Sequence, residues 1–186
     1  MYMKFLKTSR VVVLRPEEFS NIYKILDTNR KAQFGGLLCI GTRYIEAKWI
    51  QKHPECYDGD RFIHLPKEGS SKKKSLYEER TIRISDWGRK ILPKFFDATP
   101  LPTTQAWGED LKRWALKAGY VELGGLCAKT TRKTWEGWLF SSFKGSDINI
   151  LSSQGHTQTT SLKHYINIGF YPKDTTAMKK YVVGWI

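Results

Sequence analysis

Apolar positions recur at helical spacing in the N-terminal quarter of the chain. The first predicted helix begins with Pro16 in its first turn. The apolar residues that follow at helical spacing are Phe19, Ile22, Tyr23 and Leu26. A second helix is predicted over about residues 32–40, and it ends at Gly41, because glycine readily adopts the left-handed conformation that stops a helix. A third helix begins near Tyr44. The turn between them is predicted to project Arg43 outward.

The pattern then becomes extended in two short runs, residues 61–65 and 80–84, which are rich in β-branched and aromatic residues. A long, polar, lysine-rich connection joins them. These runs predict a β-hairpin whose exposed basic tip carries Lys72, Lys73 and Lys74.

Helical spacing returns after the hairpin. We predict helices over about residues 87–95, 104–118 and 131–143, shorter helices capped by Asp147 and Thr157, and a last helix capped by Asp174. Trp135 and Trp138 are predicted core residues. The fold class is therefore mainly α with a small antiparallel β-hairpin (α+β), in one domain over residues 1–186.

Charge adds a candidate partner to this fold. The 31 Lys and Arg residues against 18 Asp and Glu give a net charge of +13, which is typical of a surface that binds a polyanion. Nucleic acid is the favoured partner, while an anionic membrane surface and simple solubility stay open.

The sequence gives little support for a membrane protein, a secreted protein or a metal-binding protein. No apolar run is long enough for a membrane span or a signal-peptide core. The odd number of cysteines, three, fits reduced thiols in an intracellular protein. We expect no zinc site, because His53 and Cys56 have no second ligand pair nearby.

The most specific motif is SQGHTQTTSLKHY, residues 153–165. His156 follows a glycine, Tyr165 lies nine residues beyond it, and Arg132 lies 24 residues before it. This order resembles the catalytic domain of the tyrosine recombinases, the phage-type and Xer-type integrases.

The resemblance extends toward the N-terminus and covers about residues 15–170. GTRYIE is similar to the family's first arginine motif, in which Arg43 and Glu46 match, and Lys67 takes the nearest place to the family's hairpin lysine. The family's N-terminal DNA-binding domains have no counterpart in this sequence, which suggests a minimal protein or an excised catalytic domain. Lys129 stands where the family has histidine, and this substitution resembles integrases of archaeal viruses of the fusellovirus type.

The resemblance implies a catalytic role for six residues. Arg43 and Arg132 can each direct two N–H donors onto the oxygens of a scissile phosphate. A hairpin lysine, Lys67, can protonate the leaving 5′-oxygen. The remaining roles are a hydrogen bond from His156, a further positive charge from Lys129 and nucleophilic attack by Tyr165. The covalent 3′-phosphotyrosine intermediate conserves the bond energy, so we expect no ATP, no metal and no other cofactor.

Each residue also has an ordinary structural interpretation. Arg43 and Glu46 resemble a surface pair on a helix, the lysines a solvated loop, His156 a capping residue and Tyr165 a half-buried tyrosine. The joint order and spacing of these residues favour the enzyme. The competing functions are a type IB topoisomerase and a DNA-binding module that has lost catalysis.

The expected partner is double-stranded DNA, an attachment or crossover site, with contacts from Lys72, Lys73 and Lys74. We expect a free monomer that forms a homotetramer on DNA. The apolar C-terminal tail, residues 174–186, is predicted either to dock onto a neighbouring subunit or to pack within its own chain.

Overall fold

Eight helices form most of the chain that the structure describes. A computed structural model describes residues 5–70, 79–155 and 168–186. None of the helices in these ranges is long and apolar enough to cross a bilayer. The helices are α1 (Pro16–Lys24), α2 (Thr28–Ile40), α3 (Tyr44–Lys52), α4 (Asp86–Asp97), α5 (Thr104–Lys117), α6 (Thr130–Ser142), α7 (Asp147–Gln154) and α8 (Pro172–Val182).

Two antiparallel sheets of two strands each accompany these helices within the described residues. They are β1 (Leu6–Thr8) with β2 (Val11–Val13), and β3 (Phe62–Leu65) with β4 (Arg80–Arg83). The β3–β4 sheet confirms the predicted hairpin. The prediction of only one sheet is wrong, because β1 and β2 have three residues each, too few to show an alternating pattern.

Several helix ends agree with the sequence, whereas the starts of α2 and α8 differ from the predicted ones. Gly41 has φ 63° and ends α2 as predicted. However, α2 begins at Thr28, where the Asp27 side chain accepts a hydrogen bond from Arg30 N, one turn before the predicted start. Asp174 was predicted to cap the last helix, but Tyr171 is the N-cap and Asp174 accepts the Tyr171 N–H from the third helical position. Asp147, also predicted as a cap, is instead the first residue of α7 and follows the N-cap Ser146. The Thr157 cap lies outside the described residues.

The core is rich in aromatic residues, which several helices contribute. Trp135 and Trp138 are fully buried, which confirms their predicted place. Phe19 contacts Trp138 and Tyr181 edge to face, with ring centroids 5.8 and 5.5 Å apart. Helices α1, α6 and α8 therefore share one aromatic cluster.

The C-terminal segment packs against its own chain. Met178, Tyr181 and Trp185 are buried, and Trp185 Nε1 donates a hydrogen bond to Arg83 O at 3.0 Å. Asp86 N donates to Val183 O at 2.9 Å, which fixes the tail to the start of α4. Most of the large apolar side chains of the tail therefore pack within their own chain, whereas Val183 and Ile186 are exposed.

Candidate functional site

Three arginines from three different elements surround one buried carboxylate, that of Glu46. Arg43 Nη1 lies 2.7 Å from Glu46 Oε1, and Arg80 Nη2 lies 2.7 Å from Oε2. Arg132 Nη1 lies 3.9 Å from the same Oε2. Arg43 and Arg132, which the sequence placed in one site, are thus brought together around Glu46.

Local sequence explains the position of Arg43 and Glu46. Arg43 is the N-cap of α3, and Glu46 at the third helical position accepts the Arg43 N–H at 3.0 Å, one half of a capping box. A Cβ at Gly41 would lie 2.3 Å from Trp135 Cδ1, so only glycine allows the preceding turn to pack on α6. Arg43 is turned toward Glu46 with a quarter of its side chain exposed, rather than projecting outward.

Glu46 is fully buried, so its pair with Arg43 is not the ordinary surface pair of a helix. Burial by itself raises the pKa of Glu46, but the charge and hydrogen bond of Arg80 and then those of Arg43 outweigh it. The pKa falls to about 2. Glu46 is therefore ionised at neutral pH and attracts all three guanidinium groups.

Arg132 is held from two further directions. Its Nε lies 3.1 Å from Glu136 Oε1 one turn along α6, and its Nη2 donates a hydrogen bond to Gln154 O at 2.8 Å. Helix α6 itself is fixed to the start of the chain, since Leu14 N donates to Thr134 Oγ1 at 2.9 Å. Three arginines against Glu46 and Glu136 leave this cluster with one net positive charge.

The C-terminal end of α7 meets the same cluster. The last carbonyl groups of a helix have no partner within the helix and carry the negative end of its dipole. Ser153 O accepts from Arg80 Nε at 3.2 Å, and Gln154 O accepts from Arg132 Nη2. Two of the arginines therefore cap α7 as well as surrounding Glu46.

Gly155 brings the chain to the edge of this cluster. It has φ 64° and ends α7, and a Cβ at this position would lie 3.1 Å from Arg80 Cδ, Nε and Cζ. The glycine of the Gly-His motif is thus required for both its conformation and its close approach to Arg80. His156 and Tyr165 lie outside the described residues, as do Lys72, Lys73 and Lys74.

The two remaining predicted lysines are exposed. Lys129 is the N-cap of α6, one turn before Arg132. Lys67 begins the short 3-10 turn Lys67–Gly69, two residues beyond Leu65, and Leu65 pairs with Arg80 across the hairpin. A cleft of about 390 Å³ adjoins Arg80 at this end of the hairpin, lined in part by His64, Pro66 and Thr81.

Sequence reasoning missed Arg80 and Glu136. The signal for Arg80 was present: it shares a strand face with Ile82, and a charged residue on the core face of a strand requires a buried partner. Glu136 lies four residues after Arg132, the spacing of a helical ion pair, within a stretch that otherwise indicates only tryptophan packing.

The arrangement suits an anion rather than a metal ion. Within residues 5–70, 79–155 and 168–186, no group of three or more His, Cys, Asp and Glu side chains could hold a metal ion. Guanidinium groups fixed by buried carboxylates keep their orientation before a ligand arrives. Such preorganised donors stabilise developing negative charge with little cost of reorganisation.

Comparison with known proteins supports the fold. The chain matches no protein-family model and no curated protein sequence. Two solved structures resemble it, both of the site-specific recombinase XerH bound to difH substrate.

The XerH pre-cleavage complex has a TM-score of 0.60 at 16% identity, over 88% of this chain and 52% of XerH. The post-cleavage complex, on a palindromic difH substrate, has a TM-score of 0.62 at 15% identity, over 92% of this chain and 52% of XerH. This chain thus spans about half the length of the structures that it matches. Its fold is that of the tyrosine recombinase catalytic domain.

Proposed function

We propose that the protein is a site-specific DNA recombinase that cuts and rejoins DNA through a covalent bond to Tyr165. One observation carries this proposal: Arg43 and Arg132, 89 positions apart in the chain, lie on the same buried carboxylate. The fold, shared with a site-specific recombinase captured on its substrate, supports it.

The proposed chemistry assigns a charge role to each arginine. Arg43 and Arg132 receive the non-bridging oxygens of the scissile phosphate, as the fork geometry of guanidinium permits. Tyr165 loses its phenolic proton to solvent as its oxygen attacks phosphorus, the bond to the 5′-oxygen breaks, and Lys67 gives that oxygen a proton. His156 donates a hydrogen bond to the phosphate and Lys129 adds positive charge. Rejoining reverses these steps, so no cofactor is consumed.

Duplex DNA is the proposed partner. A groove of about 450 Å³ beside α3 is lined by Ile45, Lys48, Trp49, Lys52, Thr103 and Thr104. Its lysines and threonines are side chains of the kinds that contact DNA phosphates. The predicted tip lysines Lys72, Lys73 and Lys74 would add to this surface. A homotetramer on DNA remains part of the proposal.

Covalent trapping tests the proposal. Purified protein is incubated with a pool of labelled duplexes that have randomised sequence and a nick, so that a short fragment diffuses away after cleavage and prevents rejoining. We expect a protein–DNA adduct on a denaturing gel, and sequencing of the trapped strands gives the preferred site. The Tyr165→Phe variant should bind the selected duplex normally and form no adduct.

Tyr171→Phe is the matched control, since Tyr171 is exposed at the N-cap of α8. It should form the adduct at the wild-type rate. Binding without any adduct from wild-type protein would favour the decayed DNA-binding module instead. The relation to fusellovirus integrases, and thus integration of a viral genome, stays a prediction that rests on Lys129 alone.

A further inference from the structure

Arg80 is a buried arginine with no role in the chemistry described above. It begins β4, and 4% of its side chain is exposed. Burial lowers its pKa, although Glu46 opposes this. Replacing a buried ion pair with apolar residues is often neutral or stabilising, so stability alone is a weak explanation for an arginine here.

The contacts of Arg80 connect three parts of the site. Its Nη2 binds Glu46 at 2.7 Å on α3, and its Nε donates to Ser153 O at the end of α7. Its strand pairs it with Leu65, two residues before Lys67. Gly155, directly before His156, packs against its guanidinium group.

Arg80 and Arg132 share one oxygen of Glu46. Arg80 lies within hydrogen-bond distance of Oε2, whereas Arg132 at 3.9 Å is too far for a hydrogen bond. If the charge of Arg80 were removed, the buried Oε2 would attract Arg132 and draw it toward Glu46. The guanidinium group would then leave the position in which it can receive a phosphate.

We propose that Arg80 is a positioning residue: it neutralises Glu46 Oε2 so that Arg132 is not drawn onto that oxygen, and it fixes the end of α7, which the His156–Tyr165 segment follows in sequence. This inference rests on the proposed function. It predicts that the harm done by losing Arg80 comes mainly from the uncompensated charge of Glu46.

Substitutions at both positions test this mechanism. Arg80→Met should slow single-turnover adduct formation by about 10²-fold, the size of effect that misplacement of a reacting group produces. DNA affinity should be unchanged. Arg80→Lys should lie between Arg80→Met and wild type. Arg80→Met combined with Glu46→Gln should react faster than Arg80→Met alone, because the charge that captures Arg132 is gone.

Arg83→Met is the matched control, an arginine three residues along the same strand whose guanidinium group lies over the Phe62 ring. It should react at the wild-type rate. Equal rates for Arg80→Met and Arg83→Met would overturn the inference, and so would a double variant as slow as Arg80→Met. Should Arg80→Met not fold, Glu46→Gln is compared with the double variant, and a further loss of about 10²-fold on adding Arg80→Met would contradict the mechanism.

A second readout does not depend on cleavage. Sulfate, titrated against chloride at constant ionic strength, should raise the Tm of wild type and Arg83→Met more than that of Arg80→Met. An equal rise in all three would contradict the inference. If wild-type protein forms no adduct while this difference is found, the proposed function fails and the placement of Arg132 by Arg80 stands.

Discussion

Arg80 and Glu46 form an ion pair in the interior of the domain, with Arg80 Nη2 2.7 Å from Glu46 Oε2 and side-chain exposures of 4% and 0%. The pair joins the hairpin to α3, and its two residues are 34 positions apart in sequence. Because this buried pair joins two separate elements, the geometry of the arginine cluster depends on the tertiary fold.

Removing the charge of Glu46 should destabilise the domain. Glu46→Gln leaves the buried Arg80 without its carboxylate, and breaking a buried pair in this way costs about 3–5 kcal/mol in the free energy of unfolding. Urea unfolding followed by tryptophan fluorescence measures the change. Glu55→Gln, which breaks an exposed pair with His53, is the control and should leave the unfolding curve unchanged. A curve for Glu46→Gln that overlays wild type would show that the pair contributes nothing to stability.

The same carboxylate should govern part of the acid sensitivity. Because the folded pKa of Glu46, about 2, lies below its ordinary value of 4.5, Glu46 stabilises the fold above pH 4.5. That contribution is lost as pH falls from 4.5 toward 2. The difference in unfolding free energy between wild type and Glu46→Gln should therefore shrink over this range. A difference that stays constant with pH would contradict the lowered pKa.

Trp185 should be a stability residue. Trp185→Ala removes a buried ring that stacks on Phe143, with centroids 5.8 Å apart, and a hydrogen bond to Arg83 O. Loss of a buried tryptophan costs about 3–5 kcal/mol. Ile186→Ala, at an exposed neighbour, should change the free energy of unfolding little. If Trp185→Ala left the monomer fully stable and only prevented assembly on DNA, the result would support the hypothesis that the tail docks onto a neighbouring subunit.

The two arginines nearest the proposed phosphate should be needed for its cleavage. Arg43→Ala and Arg132→Ala should each slow adduct formation by about 10²–10³-fold, as the loss of one preorganised donor does. Their effects should not multiply in the double variant, because both act on the same developing charge. Thermal unfolding of each variant is the control for folding. If either variant cleaved DNA at the wild-type rate, the catalytic assignment of that arginine would be wrong.

The general acid can be identified with a substrate whose leaving group needs no proton. Lys67→Ala should slow cleavage of normal DNA, and a 5′-bridging phosphorothiolate should restore most of the rate, because sulfur leaves without protonation. Lys72→Ala should show no such rescue. Rescue in Lys72→Ala and none in Lys67→Ala would move the acid to the basic tip of the hairpin.

Short-range physics made much of this fold predictable from the sequence. Gly41 stops α2 because of its own backbone freedom, and Pro16 opens α1 because its φ is already helical. The hairpin followed from two β-branched runs, and the core places of Trp135 and Trp138 from their size and apolarity. The resemblance that paired Arg43 with Arg132 needed only order and spacing.

The tertiary structure alone decided which distant residues meet. Arg80 lies 73 positions from Ser153, and Trp185 lies 102 from Arg83, so no local period encodes either contact. The three-residue strands of β1–β2 were likewise too short to give a pattern. Whether a tail docks outward or packs inward depends on the space left by distant elements, and here that space lies between β4, α4 and α6 of the same chain.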